Sequence, residues 1–190
     1  AGQLATAVES AGLLAQTDDS LRRRVDQLSA ITHISRELSA SLDLKHLLQI
    51  IHDESLRTVR ADCSSVLLFD QDGDPADPKI ELFVGCEDVR ELSSLERAVL
   101  QNREPRIIAD FSQENVPQPH ASRGVRSAII VPITYQALTL GLINLHANQP
   151  DFFAERSETI ELVQTLAAQA GIALSNAQRY QAEKKSAELM

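Results

Sequence analysis

Residues 125–146 read VRSAIIVPITYQALTLGLINLH, two apolar runs around a short turn. The β-branched content of Val125 to Ile133 and Leu138 to His146 predicts two strands of one hairpin. Along the first strand Val125, Ser127, Ile129 and Val131 face one way, and Arg126, Ala128, Ile130 and Pro132 the other. Apolar side chains on both faces require cover on both sides of the sheet.

The cover is written to either side. All seven prolines lie between Pro75 and Pro150, and Leu13 to Asp72 holds neither Gly nor Pro. Such punctuation predicts helical ends around a strand-and-loop centre. A first helix is expected from Ser20 to about Ala40, with a narrow stripe of Leu21, Val25, Leu28, Ile31, Leu38 and Leu42. A second, from Asp43 to Arg60, has Leu44, Leu47, Leu48, Ile51 and Leu56 on one side and Asp43 as its cap. Then the period changes. Ser64 to Phe69 and Ile80 to Val84 read as strands, Ser93 to Asn102 as a helix and Arg106 to Ala109 as a short strand. Asp110 to Gly124 is a polar loop. The last helix starts near Arg156 and carries Ile160, Val163, Ala167, Ala170, Leu174 and Ala177 at alternating steps of three and four. That spacing is a coiled-coil seam, with alanines allowing close approach of a second helix. Past Tyr180 charges dominate, so this part is expected to project.

The chain has 190 residues, 43% hydrophobic and 24% charged, which suits about one globular domain. A net charge of −9 argues against nucleic acid or an anionic membrane surface as partner. Trp is absent and aromatics are 4%, so no stacking platform for bases is expected. No run of 18 apolar residues occurs. Two cysteines, Cys63 and Cys86, supply neither a disulfide framework nor a four-cysteine metal site; they read as small core hydrophobes in a reducing, cytoplasmic setting. His33, His46 and His52 lack the i, i+4 spacing of a helical metal pair, so no metal site is proposed. No phosphate loop, nucleophile elbow or catalytic carboxylate pair is present, so the chain reads as non-catalytic. Beginning at Ala1, it reads as a piece of a longer protein.

Arg126 to Ile133, Leu140 to Leu145, Phe152-Phe153, Glu158 to Val163 and Ala167 to Ala177 together resemble the GAF family of signalling domains. Asp43 to Ile51 (DLKHLLQII) and Ala61 to Asp70 (ADCSSVLLFD) resemble the family's opening helix and first strand. The resemblance implies an α+β sandwich: a GAF/PAS-like antiparallel sheet of five to six strands, long terminal helices on one face, and a ligand pocket under loops of the other. It divides the chain into an N-terminal helix at 1–19, a linker helix at 20–42, the GAF domain at 43–180 and the start of an output helix at 181–190. Ala1 to Ala11 can be laid over Ala167 to Ala177, which suggests that 1–19 is the tail of a preceding similar domain in a tandem array.

Relatives that bind bilins hold the pigment through a cysteine near the roofing loop, but here that loop reads Pro117-Gln118-Pro119-His120-Ala121-Ser122. Covalent bilin is therefore not expected. Relatives that bind cyclic nucleotides carry an Asn-Lys pair, a Phe, then Asp-Glu; Asn148-Gln149 and Ser157-Glu158 depart from that pattern, so the motif does not support a cyclic nucleotide. Relatives that reduce free methionine sulfoxide need nearby attacking and resolving cysteines, which Cys63 and Cys86 do not suggest. The resemblance and strand alternation together nominate Ser65, Leu67, Phe111, His120, Arg126, Ala128, Ile130, Asn144 and His146 as pocket residues, with Arg126 holding an anionic group. Leu21, Leu28, Ile31, Val163, Ala170, Leu174 and Ala177 are expected to join two chains in a homodimer. The functional expectation is a sensor that binds a small molecule and relays it along the terminal helices to an adjacent output domain, such as a histidine kinase or cyclase. Its rival is a ligand-free dimerising spacer with a collapsed pocket.

Overall fold

The computed structural model describes residues 32, 35–71, 77–86, 91–113, 124–154 and 157–188. The chain divides into two units at Arg36/Glu37, and the second, Glu37–Met190, carries the sheet and the helices that cover it. The expectations for 1–19, for Leu21, Leu28 and Ile31, and for His120 and its roofing loop lie outside the described residues.

Helix α1 is Leu44–Val59. Asp43 caps it from extended backbone, its Oδ1 accepting from His46 N at 2.7 Å, which satisfies one of the first turn's orphan donors. Arg60 ends the helix in the left-handed region, φ 56°, donating its N–H to Leu56 O. The buried stripe runs Leu44, Leu47, Leu48, Ile51, Ser55 and Val59. Leu56, expected on it, is only half-buried. Steps of four from Ile51 carry the stripe through Ser55, whose hydroxyl donates to Ile51 O at 2.6 Å and so enters the core satisfied.

The remaining elements are β1 Cys63–Phe69, β2 Ile80–Gly85, α2 Ser94–Asn102, β3 Arg106–Ile108, β4 Ser127–Tyr135, β5 Leu138–Ala147 and α3 Ser157–Glu188. The five strands form one antiparallel sheet in the order β2-β1-β5-β4-β3. Strand β4 starts two residues later than expected because Val125 and Arg126 serve the connection: Arg126 O accepts from Phe111 N while Arg126 N donates to Ala147 O. It runs on to Tyr135, paired with Leu138 around Gln136-Ala137, where Gln136 takes a positive φ of 53°.

Register sorts the side chains. Leu67, Leu142, Ala128 and Ile130 share a cluster with Leu95 and Val99 of α2 and with Leu92, Ile108, Phe111 and Val125. Alternation sends Val66, Leu68, Ile129, Val131, Ile133, Ile143 and Leu145 to the other face, where α1 meets β1 and α3 meets β4 and α1. Each of these seven is at most 1% exposed.

The coiled-coil expectation for α3 changes here. Val163, Ala170, Leu174 and Ala177 are 0% exposed within a single chain. The stripe is therefore used inside the protomer, against its own sheet and α1. The small residues bring α3 close to β4: a Cβ on Gly171 would collide with the Thr134 carbonyl oxygen. Spacing reports that a face is buried, and it is silent on which surface buries it. Outward, α3 exposes Ile172 and Tyr180, and 181–188 are exposed throughout.

Candidate ligand site beneath the short helix

Helix α2 lies over the sheet face opposite the terminal helices, and its first turn brings the site's charge. Ser93 and Glu96 form a capping box: Ser93 Oγ accepts from Glu96 N at 3.3 Å, and Glu96 Oε2 accepts from Ser93 N and Ser93 Oγ, each at 2.7 Å. Glu96 is also on the helix's buried stripe with Leu95 and Val99 and is 4% exposed. Its second oxygen, Oε1, accepts from Asn144 Nδ2 at 2.6 Å. The capping carboxylate thus tethers α2 to β5 across 48 residues of chain.

Asn144 is 2% exposed and pairs directly with Ser65 of β1, which is 0% exposed. The next position on this face of β5, His146, is 2% exposed and stands opposite Cys63 on one side and Ala128 on the other. Because Asn144 Nδ2 is committed to Glu96, its Oδ1 points elsewhere, and neither Asn144 Oδ1 nor Ser65 Oγ has a hydrogen-bond partner among the described residues. A buried polar atom left unpaired costs about 1–3 kcal/mol, so two on one face, beside a carboxylate, single out this corner as the candidate site. Glu96 has no cationic partner among the described residues.

Of the nominated residues, Ser65, Leu67, Ala128, Ile130, Asn144 and His146 do share this face. Phe111 is in the apolar cluster with Leu67. Arg126 is elsewhere engaged: its Nη2 donates to Asp110 Oδ2 at 2.7 Å and its Nε to Asp110 Oδ1 at 3.2 Å, with the side chain 45% exposed. The Arg126 guanidinium, helped by the Ser112 N–H, holds the Asp110 carboxyl well below the ordinary range, and Asp110 raises Arg126 in return. The anion-holding role expected of Arg126 is therefore filled from within the chain. Regular β4 begins only at Ser127, and the loop before it carries Asp110 alongside Arg126.

Glu96 was missed, although a signal existed. Ser93-x-x-Glu96 is the capping-box spacing, and Leu92, Leu95, Glu96 and Val99 place a carboxylate on an apolar stripe.

The two cysteines also depart from expectation. They are bonded as a disulfide, with Cα atoms 6.1 Å apart. Cys63 is half-buried and Cys86 exposed, so neither is a core hydrophobe. Cys63 begins β1 and Cys86 follows β2, and the Ser65–Gly85 register folds them together across 23 residues. Among the described residues no group of His, Cys, Asp or Glu is arranged to hold a metal ion, and no helix is long and apolar enough to cross a membrane.

A five-stranded antiparallel sheet, long helices on one face and a short capped helix over a part-polar opposite face define a small α+β sandwich domain. A family model for the GAF domain matches residues 43–174, and the chain belongs to that family. Among solved structures it is similar to the GAF domain of a phosphoenolpyruvate-protein phosphotransferase from Coxiella burnetii (TM-score 0.67, 20% identity, 83% of this chain and 98% of that one). The corresponding domain from Acinetobacter gives a TM-score of 0.65 at 21% identity, covering 82% and 96%. The chromophore-binding domain of a bacteriophytochrome from R. palustris gives 0.62 at 15% identity, covering 83% and 63%. No curated protein matches the chain. Membership of that family supports a sensor or regulatory role in signalling.

Proposed function

We infer that this domain senses a small molecule presenting N–H donors, an amine, amidine or amide, at the Glu96–Asn144–Ser65 end of the α2 face. The observation that supports the reading is the pair of orphaned buried atoms, Asn144 Oδ1 and Ser65 Oγ, next to a buried carboxylate with no cation among the described residues. All three present acceptor oxygens, so a donor-rich group pairs with them, whereas an anion would meet Glu96 without Arg126 to offset it. The bound state would hold Asn144 and α2 more firmly, and α3, packed on the reverse of β4 and β5, would carry the change toward an output domain in the same chain, such as a kinase or cyclase. A homodimer through the outward faces of the terminal helices, around Ile172 and Tyr180, and a cytoplasmic location complete this reading. No covalent bilin, cyclic nucleotide, metal, nucleic acid or membrane contact belongs to it.

A thermal-shift panel of amines, amides and carboxylic acids tests it. Stabilisation by donor-rich compounds that disappears in Asn144→Ala is expected; stabilisation by carboxylic acids alone would overturn the ligand class. The second reading is a relay without a ligand. It draws on the apolar part of the same face, where Leu67, Leu92, Val99, Phe111 and Ile130 are each at most 9% exposed and fill the space under α2. Silence across the panel together with an intact dimer would favour it.

A further inference from the structure

The Cys63–Cys86 pair lies where chemistry from solution reaches the edge of the candidate site. Cys86 is exposed and Cys63 half-buried, and their Cα separation of 6.1 Å lies within the range a disulfide spans without moving backbone. Cys86 continues the β1–β2 ladder by one bond, its N–H donating to Ser64 O at 3.2 Å. Between the cysteines and the polar site stand two residues. Gly85 lies so tightly on Ser65 that a Cβ there would collide with the Ser65 Cβ, and Ser65 carries one of the orphaned oxygens. Cys63 in turn is the direct cross-strand partner of His146.

The core on both faces of the sheet is extensive and apolar, unlike the small disulfide-dense domains that need covalent staples. A solvent-accessible disulfide outside the core belongs to the labile, exchangeable kind rather than the protected structural kind.

We propose that Cys63 and Cys86 are a reversible thiol–disulfide modification site that exchanges with low-molecular-weight thiols, and that its closure pins the end of β2 over the Ser65 end of the site. In the closing direction the Cys86 thiolate, its proton lost to solvent, attacks one sulfur of an external disulfide and expels one external thiolate. The Cys63 thiolate then attacks the Cys86 sulfur of the mixed disulfide and expels the second. Two protein thiols are oxidised and one external disulfide is reduced to two thiols; opening is the reverse. Only the consequence for the site rests on the ligand reading; the exchange itself does not.

The test is to equilibrate the purified chain in glutathione buffers from fully reduced to fully oxidised, quench with acid, alkylate, and weigh the intact protein. The expected result is a two-state crossover within that series, from two alkyl groups to none. Two alkyl groups even in oxidised glutathione, or a stable glutathione adduct on Cys86 without ring closure, overturns the proposal. So does a bond that reduced glutathione leaves intact and only a phosphine opens, which would make it a structural staple. Amide exchange of residues 82–86 gives the second readout, expected to be about tenfold slower in the oxidised form, with Cys63→Ser and Cys86→Ser matching the reduced form under both conditions. Equal exchange in both forms removes the pinning while leaving the chemistry. Failure of ligand binding shows in the thermal-shift panel and moves neither readout.

Discussion

The two faces of the sheet are made from the same hairpin yet differ in what covers them. Toward the terminal helices, β4 and β5 present Ile129, Val131, Ile133, Ile143 and Leu145, met by α3 at the distance of a glycine. Toward α2, apolar packing covers only part of the face, and beyond Leu67 and Ile130 come Ser65, Asn144, His146 and Glu96. The difference teaches that one side of the sheet is closed mainly by apolar packing while the other buries a hydrogen-bonded polar corner, which the proposed function assigns to recognition.

The sharpest way to break this comparison is on the helix face. Leu174→Ala empties a fully buried site on α3, and a loss of about 2–5 kcal/mol is expected in urea unfolding. A loss below about 1 kcal/mol would mean that α3 does not hold the domain together. On the α2 face, Glu96→Ala removes the capping acceptor and strands Asn144 Nδ2; about 1–3 kcal/mol is expected, with Glu96→Gln recovering part of it.

Ser65→Ala separates recognition from stability. Deleting an orphaned, fully buried hydroxyl should leave the unliganded domain as stable or about 1 kcal/mol more so, while weakening donor-rich ligands in the thermal-shift panel. Its neighbour Ser64, also buried and orphaned but on the helix face, is the control: Ser64→Ala should raise stability alike and leave ligand binding unchanged. Equal effects on binding would merge the two faces.

The smallest expected effect is at the margin. Asp110 is held below the ordinary carboxylate range by Arg126. A group whose pKa is lowered by folding contributes stability above its unfolded pKa and loses it as the pH falls through the folded value, so this contribution is complete above about pH 5 and fades below it. The pair is partly exposed, so the contribution is small. Arg126→Ala should flatten the acid limb of a stability–pH curve and leave neutral pH nearly unchanged.

Local order carried the sequence reading a long way. Asp43 before an apolar stripe gave a capped helix, and period-two alternation placed Asn144 and His146 on one face of their strand. Those features depend on neighbours a few residues away. The errors share another cause. Arg126 met Asp110 across 16 residues, Glu96 met Asn144 across 48, and Cys63 met Cys86 across 23, and none of these partners is visible from spacing.

What the chain's letters determined alone was periodicity: which residues lie together on a helix or strand, and where each element is capped. Backbone sterics and hydrogen bonding act within a few residues, so that much is local. Only the tertiary structure decided what each buried face meets. It turned the alanine stripe of α3 inward to β4, gave Arg126 to Asp110, and set a capping glutamate against an asparagine, because packing and electrostatics act through space between segments whose separation in sequence carries no such information.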